Sequence, residues 1–249
     1  MKKITSFLFI FSLFLLYSNQ VFSQTTYYVE TSANGGNDSN NGTTEATPKL
    51  TLSNAISTAS AGDTIIIGPG TFSTESNLAA DKNLTIQGHG REETVFDGGS
   101  LGSTVGFMAI TANVTLKNMT VQNYAKTASV SGSNSSQTSG IIIGGTFGTS
   151  NTTSNPLTVT IKNVKFYKNT SSLAGSDQTH GGAINVVPNV NASNHTVNIE
   201  ECLFYDNEAD GYGGAVYMAD GVTMTLENCV FADNKASYGG AIMQADWYD

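Results

Sequence analysis

The sequence predicts an all-β solenoid, a fold in which short parallel strands stack along one axis. Three observations predict it: two sequence blocks recur along the chain, apolar and polar residues alternate within them, and 26 glycines accompany a charged fraction of only 12%. An ordinary soluble domain has about 25% charged residues. Because 39% of the residues are hydrophobic and lie in short runs, the composition indicates a folded, turn-rich protein and excludes a highly charged disordered chain.

The first repeated block contains alternating apolar positions followed by an asparagine, and the second contains Gly-Gly-Ala. The first block lies at 115–123, 160–169, 198–207 and 225–234, and the second at 181–184, 213–216 and 239–242. Phe166 and Phe204 are 38 residues apart and Phe204 and Phe231 are 27 apart, with the excess in polar inserts. Solenoids tolerate such inserts because each coil contacts only its neighbours.

Side chains at equivalent positions of stacked coils form ladders, and neighbouring strands are about 4.8 Å apart. The alternation of Val222, Met224 and Leu226 with polar residues predicts strands, and the runs are too short and too β-branched for helices. Two interior ladders and one corner ladder of amides are expected. They are Leu116, Ile161, Ile199 and Leu226; Val121, Phe166, Phe204 and Phe231; and Asn123, Asn169, Asn207 and Asn234.

A different unit precedes the repeats. Residues 27–29 and 64–67 indicate strands, and apolar residues at roughly helical spacing between Leu50 and Ala59 indicate an amphipathic helix. Such a helix would cover the open end of the solenoid core. We therefore assign residues 24–80 to an N-terminal cap and first coil, and 81–249 to further coils, about six in all. The polar inserts at 125–139 and 146–156 are expected to be external loops.

The N-terminus predicts export. Lys2 and Lys3 precede an apolar run at 4–16 and the Val-Phe-Ser sequence at 21–23, so a signal peptide is predicted at residues 1–23. A membrane anchor is the less favoured alternative, since a span needs about 20 apolar residues. The mature segment is expected to be extracellular or attached to the outer membrane or cell surface, and not transmembrane. Because residues 247–249 follow a Gly-Gly-Ala block closely, we expect coils to continue beyond them.

The charge balance excludes one class of partner. The formal net charge is −9 and no run of basic residues occurs. Nucleic acid is therefore not an expected partner, because phosphate binding requires clustered cations. Anionic polymers would also be repelled unless metal ions bridged them.

Several segments carry a family resemblance. The sequences Thr-Pro-Lys-Leu-Thr-Leu at 47–52 and Gly-Asp-Thr-Ile-Ile-Ile at 62–67 resemble the start of exported bacterial proteins of the pectin-lyase-like superfamily, and residues 84–88 and 94–98 are similar to the first coils of those proteins. Downstream, Phe-x-x-Asn followed by Gly-Gly-Ala resembles the repeats of polymorphic outer membrane proteins and related surface adhesins. The resemblance implies a right-handed, single-stranded parallel β-helix with an N-terminal capping helix.

The resemblance alone does not choose an activity, because lyases, hydrolases, adhesins and inert scaffolds share this fold. The lyases generally hold calcium against a uronate with several acidic residues and abstract a proton with an arginine or lysine. This chain has a single arginine, Arg91, and its coil lysines fall at outward positions. A surface or secreted scaffold that is adhesin-like or glycan-binding and non-catalytic in this segment is therefore favoured. The alternative is a polysaccharide lyase or glycoside hydrolase of the same fold.

The two cysteines, Cys202 and Cys229, share one repeat position with Met119 and Val164, which indicates an interior ladder. An exported protein permits a disulfide between them. However, side chains stacked in parallel register point the same way, and this suits the disulfide dihedral angle poorly. The reduced ladder is favoured and the disulfide stays open. Neither state supplies a catalytic thiol, since no histidine shares the repeat position.

Other candidate residues also come in stacked pairs. Asp206 and Asp233 are equivalent and could hold a calcium ion, although solvated carboxylates are favoured. No other cofactor is implied. Tyr212 and Tyr238 each precede a Gly-Gly pair, so they could form a platform for the sugar rings of a polysaccharide or cell-surface glycan, or a purely structural ladder. His180, beside the first Gly-Gly pair, is expected at the surface.

Overall fold

The structure of the chain is a computed structural model that describes residues 23–126, 138–147, 153, 155–172, 179–188 and 195–245. These residues form an almost entirely parallel β structure with one α-helix, α1, at Leu52–Thr58 and a short 3-10 helix at Ser32–Asn34. The strands in the described residues are β1 Thr26–Val29, β2 Thr64–Ile67, β3 Gly70–Phe72, β4 Leu78–Ala80, β5 Leu84–Gly88, β6 Thr94–Asp97, β7 Met108–Ile110, β8 Val114–Gln122, β9 Ala125–Lys126, β10 Ile141–Ile143, β11 Thr158–Tyr167, β12 Thr170–Ser171, β13 Ile184–Val186, β14 Thr196–Glu200, β15 Leu203–Tyr205, β16 Glu208–Ala209, β17 Val216–Met218, β18 Thr223–Glu227, β19 Val230–Ala232 and β20 Ile242–Gln244.

Within the described ranges these strands form three sheets. The first has the order β1-β2-β5-β8-β11-β14-β18. Four further strands belong to it: β6 pairs with β3 and β8, and β15 pairs with β11 and β19. The second has the order β4-β7-β10-β13-β17-β20, and the third is β9-β12-β16. All of the pairs between these strands are parallel. The structure is therefore the parallel β-helix that the sequence predicts.

The interior ladders have the predicted register. Leu116 pairs with Ile161, and Ile199 pairs with Ile161 on one side and Leu226 on the other. In the second ladder, the Phe204 ring stacks on the Phe231 ring with a centroid distance of 4.5 Å and an interplanar angle of 1°. Ile199 is fully buried, whereas Leu226, on the last described coil, is 39% exposed.

The corner ladder of asparagines is confirmed for three of its four predicted members. Asn169 Nδ2 donates to Asn207 Oδ1, and Asn207 Nδ2 donates to Asn234 Oδ1, each at 3.0 Å. The prediction is wrong for Asn123, because Thr170 pairs with Ala125 and this register places Tyr124 opposite Asn169. Asn123 lies one residue earlier, in a left-handed turn with φ of 58°. Asparagine tolerates this conformation, so it suits the turn as well as the ladder and the sequence alone did not distinguish the two positions.

The Gly-Gly-Ala block has a separate physical cause at each glycine. Gly213 has a φ of 61°, a left-handed conformation that favours glycine. A Cβ on Gly182 would lie 2.6 Å from the carbonyl oxygen of Gly214 in the next coil, so a larger residue there would separate the coils. The block therefore marks a tight turn followed by a close approach between backbones.

Helix α1 covers the first coil, and charged side chains stabilise both of its ends. The Glu75 carboxylate accepts a hydrogen bond from Leu52 N at 2.6 Å, and Lys82 Nζ donates to Ile56 O at 2.7 Å and to Ala59 O at 2.8 Å. A carboxylate at the N-terminus and an ammonium group at the C-terminus both complement the helix dipole. The helix packs against β1, β2 and β4, as expected for an N-terminal cap.

The insert predicted at 125–139 is not an external loop at its ends. Its first two residues form β9, and Thr138 and Ser139 are buried, with hydroxyl groups that donate to Gly181 O and Gly182 O. The rest of this insert lies outside the described residues. At these ends the expectation of a solvated loop is wrong, because hydroxyl-bearing residues can replace backbone donors between coils.

The outer faces of the first two sheets differ. On the second sheet the outward residues Ala109, Ile142, Asn185 and Tyr217 are all buried, and Ala109 and Ile142 belong to a small core with Phe147 and Val187. On the first sheet the outward side chains along β5, β8 and β11 are polar and, apart from the buried Thr120 in β8, at least partly exposed. The first sheet therefore provides the accessible face.

Two predictions concern the ends of the chain. The signal peptide predicted at 1–23 and the residues 247–249 lie outside the described residues, apart from Ser23. Across the segments that the structure describes, no α-helix has the length and apolar character needed to cross a membrane.

The asparagine ladder gives a stability prediction. Asn207→Ala leaves Asn169 Nδ2 and Phe166 O without their partner in a fully buried corner, so it should lower the free energy of unfolding by about 2–4 kcal/mol. Urea unfolding measures this change. Asn198→Ala, on the partly exposed face of the same coil, is the control and should change stability by less than about 0.5 kcal/mol. Equal effects of the two variants would contradict a structural role for the ladder.

Candidate functional site

The two cysteines lie in the predicted interior position as unbonded thiols. Cys202 is buried and donates to Glu200 O at 3.2 Å, while Cys229 is partly exposed and donates to Ile199 O at 3.5 Å. The hydrogen bond between the two side chains raises the pKa of Cys202 and lowers the pKa of Cys229 to about 6, because one thiol stabilises the thiolate of the other. The reduced ladder stays the favoured prediction and the disulfide its alternative.

The two aspartates occupy a turn. Asp206 and Asp233 have φ values of 52° and 56°, and each directly precedes a ladder asparagine. Asp206 N donates to Ala232 O in the next coil, so the two residues lie at the same corner of adjacent coils with exposed side chains. Among the described residues, no three His, Cys, Asp or Glu side chains are grouped closely enough to hold a metal ion. Calcium at this corner stays a prediction.

The tyrosine ladder exists and includes a histidine. The Tyr212 and Tyr238 rings stack with a centroid distance of 5.1 Å, and His180 precedes Tyr212 in the same ladder. The surface position expected for His180 is wrong: it is 3% exposed, because its ring stacks on Tyr217 at 4.2 Å and meets Tyr212 at 5.3 Å. Stacked rings cover each other's faces. Tyr238, which is 56% exposed, is therefore the ring in this ladder with a face open to a sugar.

A strip of paired charges crosses the outer face of the first sheet near its bend. Lys162 Nζ lies 2.8 Å from Glu200 Oε2 and 3.3 Å from Glu201 Oε1, and Lys165 Nζ lies 3.5 Å from Glu92 Oε2. Arg91 Nη1 donates to Glu201 O at 3.0 Å, so the turn before β6 reaches across to the coil of β14. The members of this charged strip are Arg91, Glu92, Lys162, Lys165, Glu200 and Glu201.

Lys162 in the charged strip is poorly suited to act as a base for proton abstraction. Hydrogen bonds to Glu200 and Glu201 raise the pKa of Lys162, which keeps its ammonium group protonated. A general base must instead have its pKa near the working pH. The acidic members are also engaged by lysines, so the strip resembles a structural ion-pair network more than a calcium–uronate centre.

An uncharged cleft lies on the same face, next to the charged strip. One lobe of about 380 Å³ lies over β5, β8 and β11, and a second lobe of about 540 Å³ adjoins it. Asn83 and Asn113 line both lobes, and Thr146, Thr153 and Asn155 form one wall of the second. The remaining polar residues that line the first lobe are Thr85, Thr115, Thr158 and Thr160. We call this the polar cleft.

Lys126 and His195 are buried titratable side chains that the sequence did not predict. Lys126 in β9 is 2% exposed, and its Nζ lies 4.9 Å from the centroid of the Phe147 ring. Burial lowers the pKa of Lys126 to about 8. His195 is fully buried and accepts a hydrogen bond from Leu157 N at Nδ1, and burial lowers its pKa as well. An acceptor role requires the neutral imidazole, so His195 acts as a structural group here.

Comparisons with known proteins agree with this geometry. The model of the Chlamydia polymorphic membrane protein (Chlamydia_PMP) repeat matches residues 201–219, which include Phe204, Asn207 and Gly213. Among solved structures, a rhamnogalacturonan lyase is similar with a TM-score of 0.50 and 16% sequence identity over 89% of this chain. The match covers 60% of the lyase chain, less than two thirds of its length. No curated protein matches the chain.

These similarities show the fold and the type of repeat. The chain has the pectin-lyase-like parallel β-helix fold, and one of its coils is similar to a polymorphic membrane protein repeat. The matched residues 201–219 include an interior aromatic residue, a ladder asparagine and the glycine pair. These are the residues that form the coil, so the match carries no information about a ligand.

The charged strip and the polar cleft were missed in the sequence, although part of their signal was present. Lys162 and Glu200 occupy equivalent repeat positions, which predicts adjacent opposite charges, and Thr115 and Thr160 are likewise equivalent. The position of Arg91 had no such signal, because its turn lies outside the repeated blocks.

The cysteine pair predicts selective chemistry. Iodoacetamide at pH 7 should alkylate Cys229 before Cys202 in the folded, unreduced protein, because Cys229 is more exposed and its pKa is lowered, whereas that of Cys202 is raised. Peptide mass mapping measures the order. Titration of the denatured, unreduced protein should find two thiols, and finding none would show that the disulfide forms. Cys229→Ser is the matched control, in which Cys202 should react only after unfolding.

The buried lysine predicts a pH-dependent stability. The pKa of Lys126 falls from 10.5 to about 8 on folding, so the unfolded chain binds more protons between these values and stability should rise with pH across this window. Lys126→Met should raise the free energy of unfolding at pH 7 by about 1–2 kcal/mol and flatten this rise. Urea titrations from pH 7 to 10.5 measure both effects. Lys168→Met, at an exposed turn, is the control and should neither raise the free energy of unfolding nor flatten its rise with pH. If Lys126→Met is less stable than the native chain at pH 7, the lowered pKa of Lys126 is contradicted.

Proposed function

We propose that the chain is an exported surface scaffold of the adhesin type, which binds glycan and does not catalyse a reaction in this segment. The observation that carries the scaffold role is the match of residues 201–219 to the Chlamydia polymorphic membrane protein repeat. The glycan-binding role is supported by the accessible outer face of the first sheet, which carries the polar cleft. The positive charge and apolar run at the N-terminus support export, because they have the pattern of a signal peptide. The fold supplies a rigid surface along which a polymer can lie.

The charges also favour binding over catalysis. A uronate lyase needs a cation beside the substrate carboxylate and a neutral base close to the sugar carbon. In the charged strip, hydrogen bonds with glutamates keep Lys162 protonated, and Lys165 faces Glu92. The strip is thus self-neutralised rather than arranged around a substrate.

A polysaccharide lyase is the second candidate, because a rhamnogalacturonan lyase has a similar fold. If the chain were such an enzyme, the charged strip would be the place to seek its base, since it combines the single arginine with two lysines and three glutamates on an accessible face. The two candidates therefore differ in a measurable way.

Incubation of the full chain with rhamnogalacturonan and polygalacturonate, with and without calcium, tests the proposal. We expect no increase in the ultraviolet absorbance of unsaturated products, while the chain is retained on at least one immobilised polysaccharide. Heat-denatured protein is the control for non-specific retention. Product formation that disappears in Lys162→Gln would contradict the proposal and establish the lyase, and absence of retention on every polysaccharide would contradict the binding role.

A further inference from the structure

The polar cleft has a lining that repeats with the coils. Thr85 pairs with Thr115, and Thr115 pairs with Thr160, so one threonine hydroxyl group faces outward from each of three successive coils. Two residues earlier in the chain than these threonines lie Asn83, Asn113 and Thr158. Neighbouring strands are about 4.8 Å apart, so at this interval along the solenoid axis the cleft repeats a threonine hydroxyl beside a second polar group, which is an amide in two coils and a hydroxyl in the third.

The amide groups in the cleft are held in one orientation. Asn83 Oδ1 accepts a hydrogen bond from Asn113 N at 3.0 Å, and Asn113 Oδ1 accepts one from Thr158 N at 2.8 Å. Because each oxygen is held by the next coil, each amide keeps its NH₂ group as a donor for another molecule. Neither Nδ2 atom has a hydrogen-bond partner within the part of the chain that the structure describes. The cleft is therefore built with fixed donors before any ligand arrives.

The cleft lining is uncharged in a chain whose formal net charge is −9. A polyanion would enter against that net charge without a cation in the lining to receive it. Neutral sugars present hydroxyl groups that both donate and accept, and threonine hydroxyls and amide NH₂ groups complement them. The nearest cation on the same strand as Thr115 is Lys117, one outward position beyond the lining.

We infer that the polar cleft binds a neutral, extended polysaccharide that runs parallel to the solenoid axis, with about one sugar residue per coil. The inference rests on the proposed glycan-binding function and specifies its ligand class and its surface. The three coils of the first lobe would accommodate about three sugar residues. Binding would use hydrogen bonds rather than ring stacking, since none of the described residues that line either lobe is aromatic.

Affinity gel electrophoresis of the full chain in gels containing hydroxyethylcellulose or polygalacturonate tests the ligand class. We expect the neutral polymer to retard the native protein and polygalacturonate to leave its mobility unchanged. Retardation by polygalacturonate alone would overturn the inference and leave the proposed function standing. Retardation by neither polymer would overturn the inference, and the retention assay above would then decide the proposed function separately.

Variants test the surface. The double variant Thr115→Val with Thr160→Val removes two hydroxyl groups and keeps β-branched side chains, and Asn113→Asp keeps an oxygen for Thr158 N but removes the NH₂ donor. Each should raise the dissociation constant for hydroxyethylcellulose about three- to tenfold. Thr225→Val, at the same outward rank on β18 but outside the cleft, is the matched control and should bind like the native chain.

Two further variants separate the competing surfaces. Lys117→Gln should leave binding of the neutral polymer unchanged, whereas a loss would indicate recognition of charge and overturn the inference. Tyr238→Ala should also leave binding unchanged. Loss of binding in Tyr238→Ala together with native-like binding by the cleft variants would place the ligand on the tyrosine ladder and overturn the inference. Urea unfolding of each variant shows whether it has folded like the native chain. If one cleft variant fails to fold, the other cleft variant can still be compared with the control variants.

Discussion

Backbone pairing in unshifted register between coils is the constraint on which the rest of the structure depends. A shift of one residue would move every interior side chain of a strand to the solvent face, because side chains alternate between the faces. The asparagine corner helps to prevent such a shift. Each of Asn169 and Asn207 uses its side-chain amide to bond both the next asparagine and a carbonyl oxygen of the preceding coil. Register at this corner thus depends on buried hydrogen bonds that a shifted coil could not make.

The same register explains the surface. Once Thr160 is fixed opposite Thr115, and Lys162 opposite Lys117, the outward residues must form ranks along the axis. One rank is uncharged and carries the polar cleft, while the next includes Lys162 and Glu200, which form an ion pair. The covered outer face of the second sheet leaves these ranks as the extended accessible surface of the described coils. Fold and binding surface therefore have one physical origin.

The sequence predicted the fold well because a repeat reports the same physical requirement several times. Phe166, Phe204 and Phe231 recur since each fills the same interior space, and the glycine pairs recur since coils approach there. The ladder position predicted for Asn123 was wrong because asparagine suits both a left-handed turn and a ladder. His180 misled because its burial depends on Tyr217, which lies on the next coil and outside the block compared. Arg91 and the walls of the cleft come from non-repeated segments, whose positions depend on tertiary contacts that no local pattern reports.

Tyr124 occupies the corner position that asparagine occupies in the later coils, so the corner differs between the two halves of the solenoid. Before it, the corner is held by aromatic contacts, in which the Phe107 ring lies 4.9 Å from Phe96 and 5.4 Å from Tyr124. After it, the corner is held by a chain of amides. In a stack where each coil meets only its neighbours, the interfaces set the cooperativity of folding. Apolar contacts weaken on cooling, whereas the amide chain does not share that temperature dependence. At this corner, the contacts before and after the boundary between the coils of Tyr124 and Asn169 should therefore respond differently to cooling.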